Sequence, residues 1–275
     1  MSIQMLSEQQ KIFSKSDSGR YDQLLVLIKG RAADIIGDKR IVKEVGRWAR
    51  GNVMTYEKDI FDITERGLEL ASLEAGDRVL DIGCGAGDDV AYFSEKKGLK
   101  AEGIDISLAA ISEAREKHPD IAVKFGDGEF LDDYSSFTFD GVFMQDVLRL
   151  INLPDEALHE AYCVLKKGGK LVIVDEYHKD PDPKKMKAVA IEAQRQSKIP
   201  HKEGDCETDP VRFVDFRFDG AFYEGPLKRQ LEETGYVIKI FEDVTDAVEA
   251  GPQEGDRRED GKTGRFLLVA EKPKA

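Results

Sequence analysis

The short apolar run Arg78-Val79-Leu80 passes directly into Asp81-Ile82-Gly83-Cys84-Gly85-Ala86-Gly87, and about twenty residues later Gly103-Ile104 ends in a lone acid, Asp105. Few arrangements constrain a fold more. The β-branched run predicts a buried strand, and the closely spaced glycines let the chain turn tightly and bring its backbone against a ligand. A second strand ending in a carboxylate places an acceptor for both hydroxyls of a ribose, outside the carboxyl ends of a parallel sheet. The pair therefore predicts a nucleoside crevice.

Dinucleotides and S-adenosylmethionine are the two ligand classes that use such a turn. In the dinucleotide pattern G-x-G-x-x-G, counted from Gly83, a third glycine falls at position 88, where this chain has Asp88 followed by Asp89. Two carboxylates at a helix N-terminus repel a pyrophosphate and compete for the free N–H groups. A sulfonium ligand has no phosphate to repel.

The remaining motifs follow in order. Val79 to Gly87 resembles the first motif of the class I S-adenosylmethionine-dependent methyltransferases, and Gly103-Ile104-Asp105-Ile106-Ser107 resembles the second. Phe125-Gly126-Asp127-Gly128 is similar to the third, Phe139 to Val147 to the fourth strand and its end, and Leu165 to Ile173 to the turn into the fifth. The resemblance covers roughly residues 75 to 178. It implies S-adenosylmethionine as cofactor, with Gly83, Cys84, Gly85 and Gly87 around the methionine and ribose, and Asp81 below the turn. It also implies Asp105 on the ribose, Ile106 on one adenine face, Asp127 with Gly128 at the adenine edge, and Gln145 near the methionine amine. Arg50 is matched to the methionine carboxylate.

The predicted architecture is α/β: a Rossmann-like, seven-stranded, mostly parallel sheet with helices on both faces and an antiparallel last strand. Strands are expected near 78–82, 101–105, 121–125, 139–144, 170–176, 236–242 and 265–271. Ser107 is placed to cap a helix whose Leu108, Ile111 and Ala114 share a face, and Leu158, Ala161, Tyr162 and Leu165 repeat at helical spacing. Gly168-Gly169 reads as the end of that second helix. Residues 1–70 are expected to form a helical lid and 71–275 the methyltransferase core, with 179–225 inserted as the acceptor pocket. Within that insertion Met186, Val189, Ala190 and Ala193 make one apolar helical stripe, and Val214, Phe216 and Phe218 alternate.

The methyl acceptor is less constrained. In-line transfer asks the protein mainly to align the acceptor and exclude water. If a proton must leave, the candidates are Asp175, Glu176, Tyr177 and His178 after the fifth strand, His178 having the most suitable ordinary pKa. Asp146, beside Gln145, is either a catalytic member of the site or a helix cap. No D/N-P-P-Y/F/W tetrapeptide stands at Gln145-Asp146, which argues against DNA-amino and glutamine methylation. A net charge of −13, from 54 acids and 41 bases in 275 residues, opposes a nucleic-acid partner. The three cysteines, Cys84, Cys163 and Cys206, have no metal-ligand spacing, and no apolar run long enough for export or membrane insertion appears. The expectation is a cytoplasmic methyltransferase acting on a small molecule through a nitrogen, oxygen or carbon atom, without metal or membrane. A protein-acceptor enzyme, a NAD-dependent oxidoreductase and a non-catalytic cofactor-binding module are the alternatives.

Overall fold

The computed structural model describes residues 59–196, 214–218, 220–245 and 263–274. Helix α1 (Asp59–Ala71) precedes strand β1 (Arg78–Ile82), α2 (Asp88–Ala91, continued by a wider turn over Tyr92–Lys96), β2 (Lys100–Asp105), α3 (Leu108–Lys117) and β3 (Ala122–Phe125). Then follow β4 (Phe139–Gln145), α4 (Pro154–Val164), β5 (Leu165–His178), α5 (Pro183–Gln196), the two-residue strands β6 (Arg217–Phe218) and β7 (Ala221–Phe222), α6 (Glu224–Thr234), β8 (Val237–Asp243) and β9 (Thr263–Glu271).

Five strands run parallel in the order β3-β2-β1-β4-β5, and β9 joins β5 antiparallel with β8 outside it. The order reverses at β1: the chain leaves it for β2 on one side, and β4 lies on the other. That reversal opens a crevice at the carboxyl ends of β1 and β4, the position where open α/β sheets bind ligands. The seven predicted strands are present, and the β6–β7 hairpin is added to them. Its β7 pairs with β5 at Tyr177, past the point where β4 stops pairing at Gln145.

Both sheet faces are buried, and side-chain alternation divides them. Val142 and Met144 of β4, Leu171 and Ile173 of β5, and Phe266 and Leu268 of β9 pack with Leu158 and Ala161 of α4 and with Leu227 and Leu231 of α6. On the opposite face, Phe143, Val172, Val174, Leu267 and Val269 meet Ile63, Leu68 and Ala71 of α1 together with Val90, Phe93, Ile111 and Ala114. Each fully buried large side chain contributes about 1.5–3 kcal/mol. Helix α1, the end of the segment read as a lid, is thus built into the core, whereas residues 1–58 lie outside the described residues. Val214 and Phe216 are buried in the first cluster, and Val189 is the most buried member of the α5 stripe. No described helix is long and apolar enough to cross a membrane.

One boundary differs from expectation. Helix α4 stops at Val164, and Leu165 already belongs to β5, so Gly168-Gly169 lies inside the strand. Gly168, at φ 84, donates to the Lys272 carbonyl (2.7 Å), and Lys272 N–H donates to Gly169 O (3.0 Å). The helix end is satisfied by a side chain far along the chain. The buried Lys272 ammonium donates to the carbonyls of Tyr162 (2.6 Å) and Leu165 (2.9 Å), a cation at the negative end of a helix. The double glycine therefore serves a kink in β5, and Lys272 does the capping.

Gly83 combines a left-handed backbone (φ 79) with space that is already filled: a Cβ there would lie 2.3 Å from Val147 Cγ2 and 2.7 Å from its Cβ. A branched side chain next to the backbone cannot swing clear, so Gly83→Ala is expected to destabilise the protein by about 1–3 kcal/mol. Urea unfolding would measure this, and wild-type stability would contradict the close packing of the turn on Val147.

Candidate active site

The glycine turn is tied to β2 before any side chain acts. Gly83 and Cys84 both donate backbone N–H to Ile104 O (2.8 and 3.0 Å), and Gly87 donates to Cys84 O (2.8 Å). Asp105 then closes the crevice floor. Its Oδ2 accepts from Gly85 N–H (2.9 Å) and its Oδ1 from Ser107 N–H (2.8 Å), while Ser107 Oγ caps α3 through Ala110 N–H (3.2 Å). Burial raises the Asp105 pKa, and the two backbone donors work against that shift. Each oxygen accepts one described bond and keeps acceptor capacity for a ligand hydroxyl. A Cβ on Gly85 would meet nothing within 4 Å, so the turn presents open space beside this carboxylate.

Cys84 contributes backbone to the turn but turns its side chain into the core, where a Cβ on Gly103 would lie 2.8 Å from its sulfur. Burial pushes the thiol pKa up, followed by the charges of Asp81 and Asp105. As a side chain, therefore, it is packing, and this corrects any reading of its thiol as a ligand contact. Ile106 is half-buried immediately beyond Asp105. Asp127 Oδ1 accepts from Glu129 N–H (3.0 Å), and a Cβ on Gly128 would come within 2.6 Å of Ile82 Cγ2. Asp127 is coupled to Asp105 through Gly126, whose N–H donates to Asp105 O (3.1 Å). Glu129 in turn accepts from Asn152 and Leu153 N–H at the start of α4 (2.9 and 3.0 Å), fastening this loop to the neighbouring layer.

Asp88 and Asp89, alike in sequence, are used differently. Asp88 faces α3 and pairs with Lys117 and His118 (2.7 Å each). Asp89 turns inward to Thr64 and Gln145 (3.1 Å each). Burial pushes the Asp89 pKa up to about 6; the Thr64 hydrogen bond opposes this, and Asp88 and Asp146 add to it. Asp81, 3% exposed, is raised well above the carboxylate range by burial and by the charges of Asp89 and Asp105. Together they are two buried acids with no cation among their described contacts, and S-adenosylmethionine carries an ammonium and a sulfonium at one end.

Asp146 stands apart from that wall. Its backbone is left-handed (φ 55), and its carboxylate is shared between Arg149 (2.8 Å) and Arg265 (2.6 Å). Burial favours its neutral form, yet the Arg265 and Arg149 charges prevail and hold its pKa below the ordinary value. A carboxylate between two guanidinium groups is a poor proton acceptor. It does not cap the following turn, Leu148–Leu150, either. The candidate catalytic role for Asp146 is therefore corrected to one of fixing the end of β4. Asp175 is likewise engaged: fully buried, it accepts from the Arg149 side chain (2.8 Å), Arg149 N–H (3.0 Å) and Glu176 N–H (2.8 Å).

His178 ends β5. Its Nε2 lies 3.0 Å from the Phe218 carbonyl, which can only accept, so Nε2 is the donor and Nδ1 is left outside this bond. The ring lies against Tyr223, with centroids 4.9 Å apart. The hairpin that supplies Phe218 is pinned by Arg217, whose guanidinium donates to the carbonyls of Arg149 (3.0 Å) and Ile151. Arg50 lies outside the described residues. Thr64, Arg149, Arg217 and Arg265 belong to none of the sequence motifs. For Thr64 a signal existed: it interrupts the apolar stripe Ile63, Gly67, Leu68 and Ala71 of α1 with a buried hydroxyl.

Residues 73–213, just over half of the chain, match a family model described as a methyltransferase domain. Phosphoethanolamine N-methyltransferase 3 of Arabidopsis thaliana is 26% identical over 248 residues, covering 89% of this chain and 46% of that protein. Demethylmenaquinone methyltransferase of Renibacterium salmoninarum is 33% identical over 132 residues, 46% of this chain and 55% of the relative. The chain thus spans about half the length of these curated relatives. Among solved structures, the [4+2]-cyclase SpnF superposes with a TM-score of 0.58 at 21% identity, over 78% of this chain and 82% of that one, a likeness of fold. With the glycine turn, the acid at the end of β2 and the strand order in agreement with that match, the chain belongs to the class I S-adenosylmethionine-dependent methyltransferases, with S-adenosylmethionine as cofactor.

Proposed function

We propose that this chain moves the methyl group of S-adenosylmethionine to a small-molecule acceptor, leaving S-adenosylhomocysteine. The observation that carries the reading is the bond from Gly85 N–H to Asp105, which ties the glycine turn after β1 to the carboxylate at the end of β2, beside the β1–β4 switch point. Phosphoethanolamine and demethylmenaquinone, in the names of the two relatives, are small molecules, and this supports the same acceptor class here.

The cofactor supplies a methyl group already activated on sulfonium, so the residues of this chain have to bind, orient and exclude water. Asp105 holds the ribose hydroxyls, Asp127 the adenine amine and Ile106 a ring face. Asp81 and Gln145 receive the methionine ammonium, and Arg50 its carboxylate. His178 Nδ1 takes the acceptor's proton where the acceptor is a hydroxyl or an ammonium. Its orientation is supported by the Phe218 hydrogen bond and by Tyr223.

S-adenosylhomocysteine should raise the melting temperature while NADH does not; the reverse result would return the crevice to the dinucleotide class. Asp105→Ala should weaken S-adenosylhomocysteine binding by about 1–3 kcal/mol, the cost of leaving the ribose hydroxyls unmatched. Calorimetry gives the value, and unchanged affinity refutes the ribose role. His178→Ala should lower turnover about 10²–10⁴-fold without changing cofactor affinity. Wild-type rates in that variant across about pH 6–9 would remove His178 as the base.

A further inference from the structure

Side chains from three separate elements close a triangle beside the crevice: Thr64 of α1, Asp89 of α2 and Gln145 at the end of β4. Thr64 Oγ1 lies 3.1 Å from Asp89 Oδ1 and 3.1 Å from Gln145 Oε1, and Gln145 Nε2 lies 3.1 Å from Asp89 Oδ2. Thr64 is 1% exposed and Asp89 7%, so these two answer chiefly to one another and to the half-buried Gln145.

Each side of the triangle needs one proton. Thr64 has one O–H, and Gln145 brings one N–H and one carbonyl to its two sides. An ionised Asp89 brings none, which leaves two protons for three contacts and two oxygens facing each other lone pair to lone pair. In a buried site that arrangement is costly. A neutral Asp89 completes the circle: its O–H donates to Thr64, Thr64 donates to Gln145 Oε1, and Gln145 N–H donates back to Asp89. Turning the amide over reverses the direction of the circle and leaves the count unchanged.

The surroundings agree. Asp81 of β1, Asp105 of β2, Asp146 beyond β4 and Asp88 of the same helix are all acids. Asp146 is taken by Arg149 and Arg265, Asp88 by Lys117 and His118, and Glu65 of α1 by Tyr92 and Lys97. Among the described residues no cation pairs with Asp89.

We propose that Asp89 closes this triangle as a neutral acid and gives its proton to solvent when the ammonium-bearing methionine end of the cofactor is bound. The inference rests on the reading of the crevice given under Proposed function. Once Asp89 is ionised, Thr64 O–H and Gln145 N–H both donate to its carboxylate, and Gln145 Oε1 is released to accept from the ligand ammonium. One proton leaves, one cation arrives, and Gln145 changes partner.

The sign follows from the raised pKa of about 6. Ionising Asp89 costs the folded protein stability, so this contribution is fully present below the ordinary carboxylate pKa and is lost as pH rises through about 6. Cofactor affinity moves the other way, falling by up to about tenfold per pH unit below that point. Calorimetric titration of the full chain with S-adenosylhomocysteine, in buffers of different ionisation enthalpy, counts the proton directly. Release of most of one proton is expected at about pH 5.5 and little at about pH 8. Asp89→Asn should fold, because its amide N–H replaces the acid O–H in the triangle, and it should bind without that release. 5′-Methylthioadenosine, which has no ammonium, should also bind without it. An unchanged proton count in Asp89→Asn, or the same release with 5′-methylthioadenosine, would overturn the assignment. If neither S-adenosylmethionine, S-adenosylhomocysteine nor 5′-methylthioadenosine binds, the reading of the crevice fails instead.

Discussion

The hydrogen bond from Gly85 N–H to the Asp105 carboxylate is where local sequence and global topology meet. It requires β1 and β2 to be parallel neighbours in register, with Asp81 opposite Gly103 and Ile82 opposite Ile104. It also requires a turn tight enough to bring Gly85 back over the end of β2, which Gly83 permits because it has a left-handed backbone and no Cβ to meet Val147. Asp105 thereby becomes a part of the fold, and in the proposed function its remaining acceptor capacity holds the ribose.

Around that bond the charges are sorted by partner. Asp88, Asp146 and Asp175 each have a cation within 2.8 Å and hold elements together. Asp81, Asp89 and Asp105 have none among the described contacts, and burial drives all three toward the neutral form. Unpaired buried carboxylates are costly unless something compensates them. Here the compensation is of two kinds: backbone N–H groups for Asp105, and a ring of hydrogen bonds with Thr64 and Gln145 for Asp89. In the proposed function, a cationic cofactor is the compensation the ligand brings.

Most of this was legible in the sequence where the determinants are local. The strand ends, the glycine turn, the Ser107 cap and Asp105 each announce themselves within a few residues. What escaped is carried by contacts between distant parts of the chain. Lys272 caps a helix ending 108 positions earlier, a role that no pattern around Gly168 discloses. The Asp146 carboxylate is held by Arg265, 119 residues away, and nothing around Asp146 in sequence discloses that partner. Asp88 and Asp89 are neighbours in sequence, and only the packing of α1 and α3 on either side of the short helix α2 separates their roles. Thr64 is 81 residues from Gln145, and its one trace in sequence is a hydroxyl set into an apolar helical stripe.

In the proposed function, the crevice holds S-adenosylmethionine and passes its methyl group to a small molecule. Transfer of labelled methyl from S-adenosylmethionine, with purified protein added to fractionated cell extract, tests that claim most directly. Label should accumulate in the dialysable fraction, in step with S-adenosylhomocysteine. Label confined to protein or nucleic acid, or none in any fraction despite tight cofactor binding, would contradict it.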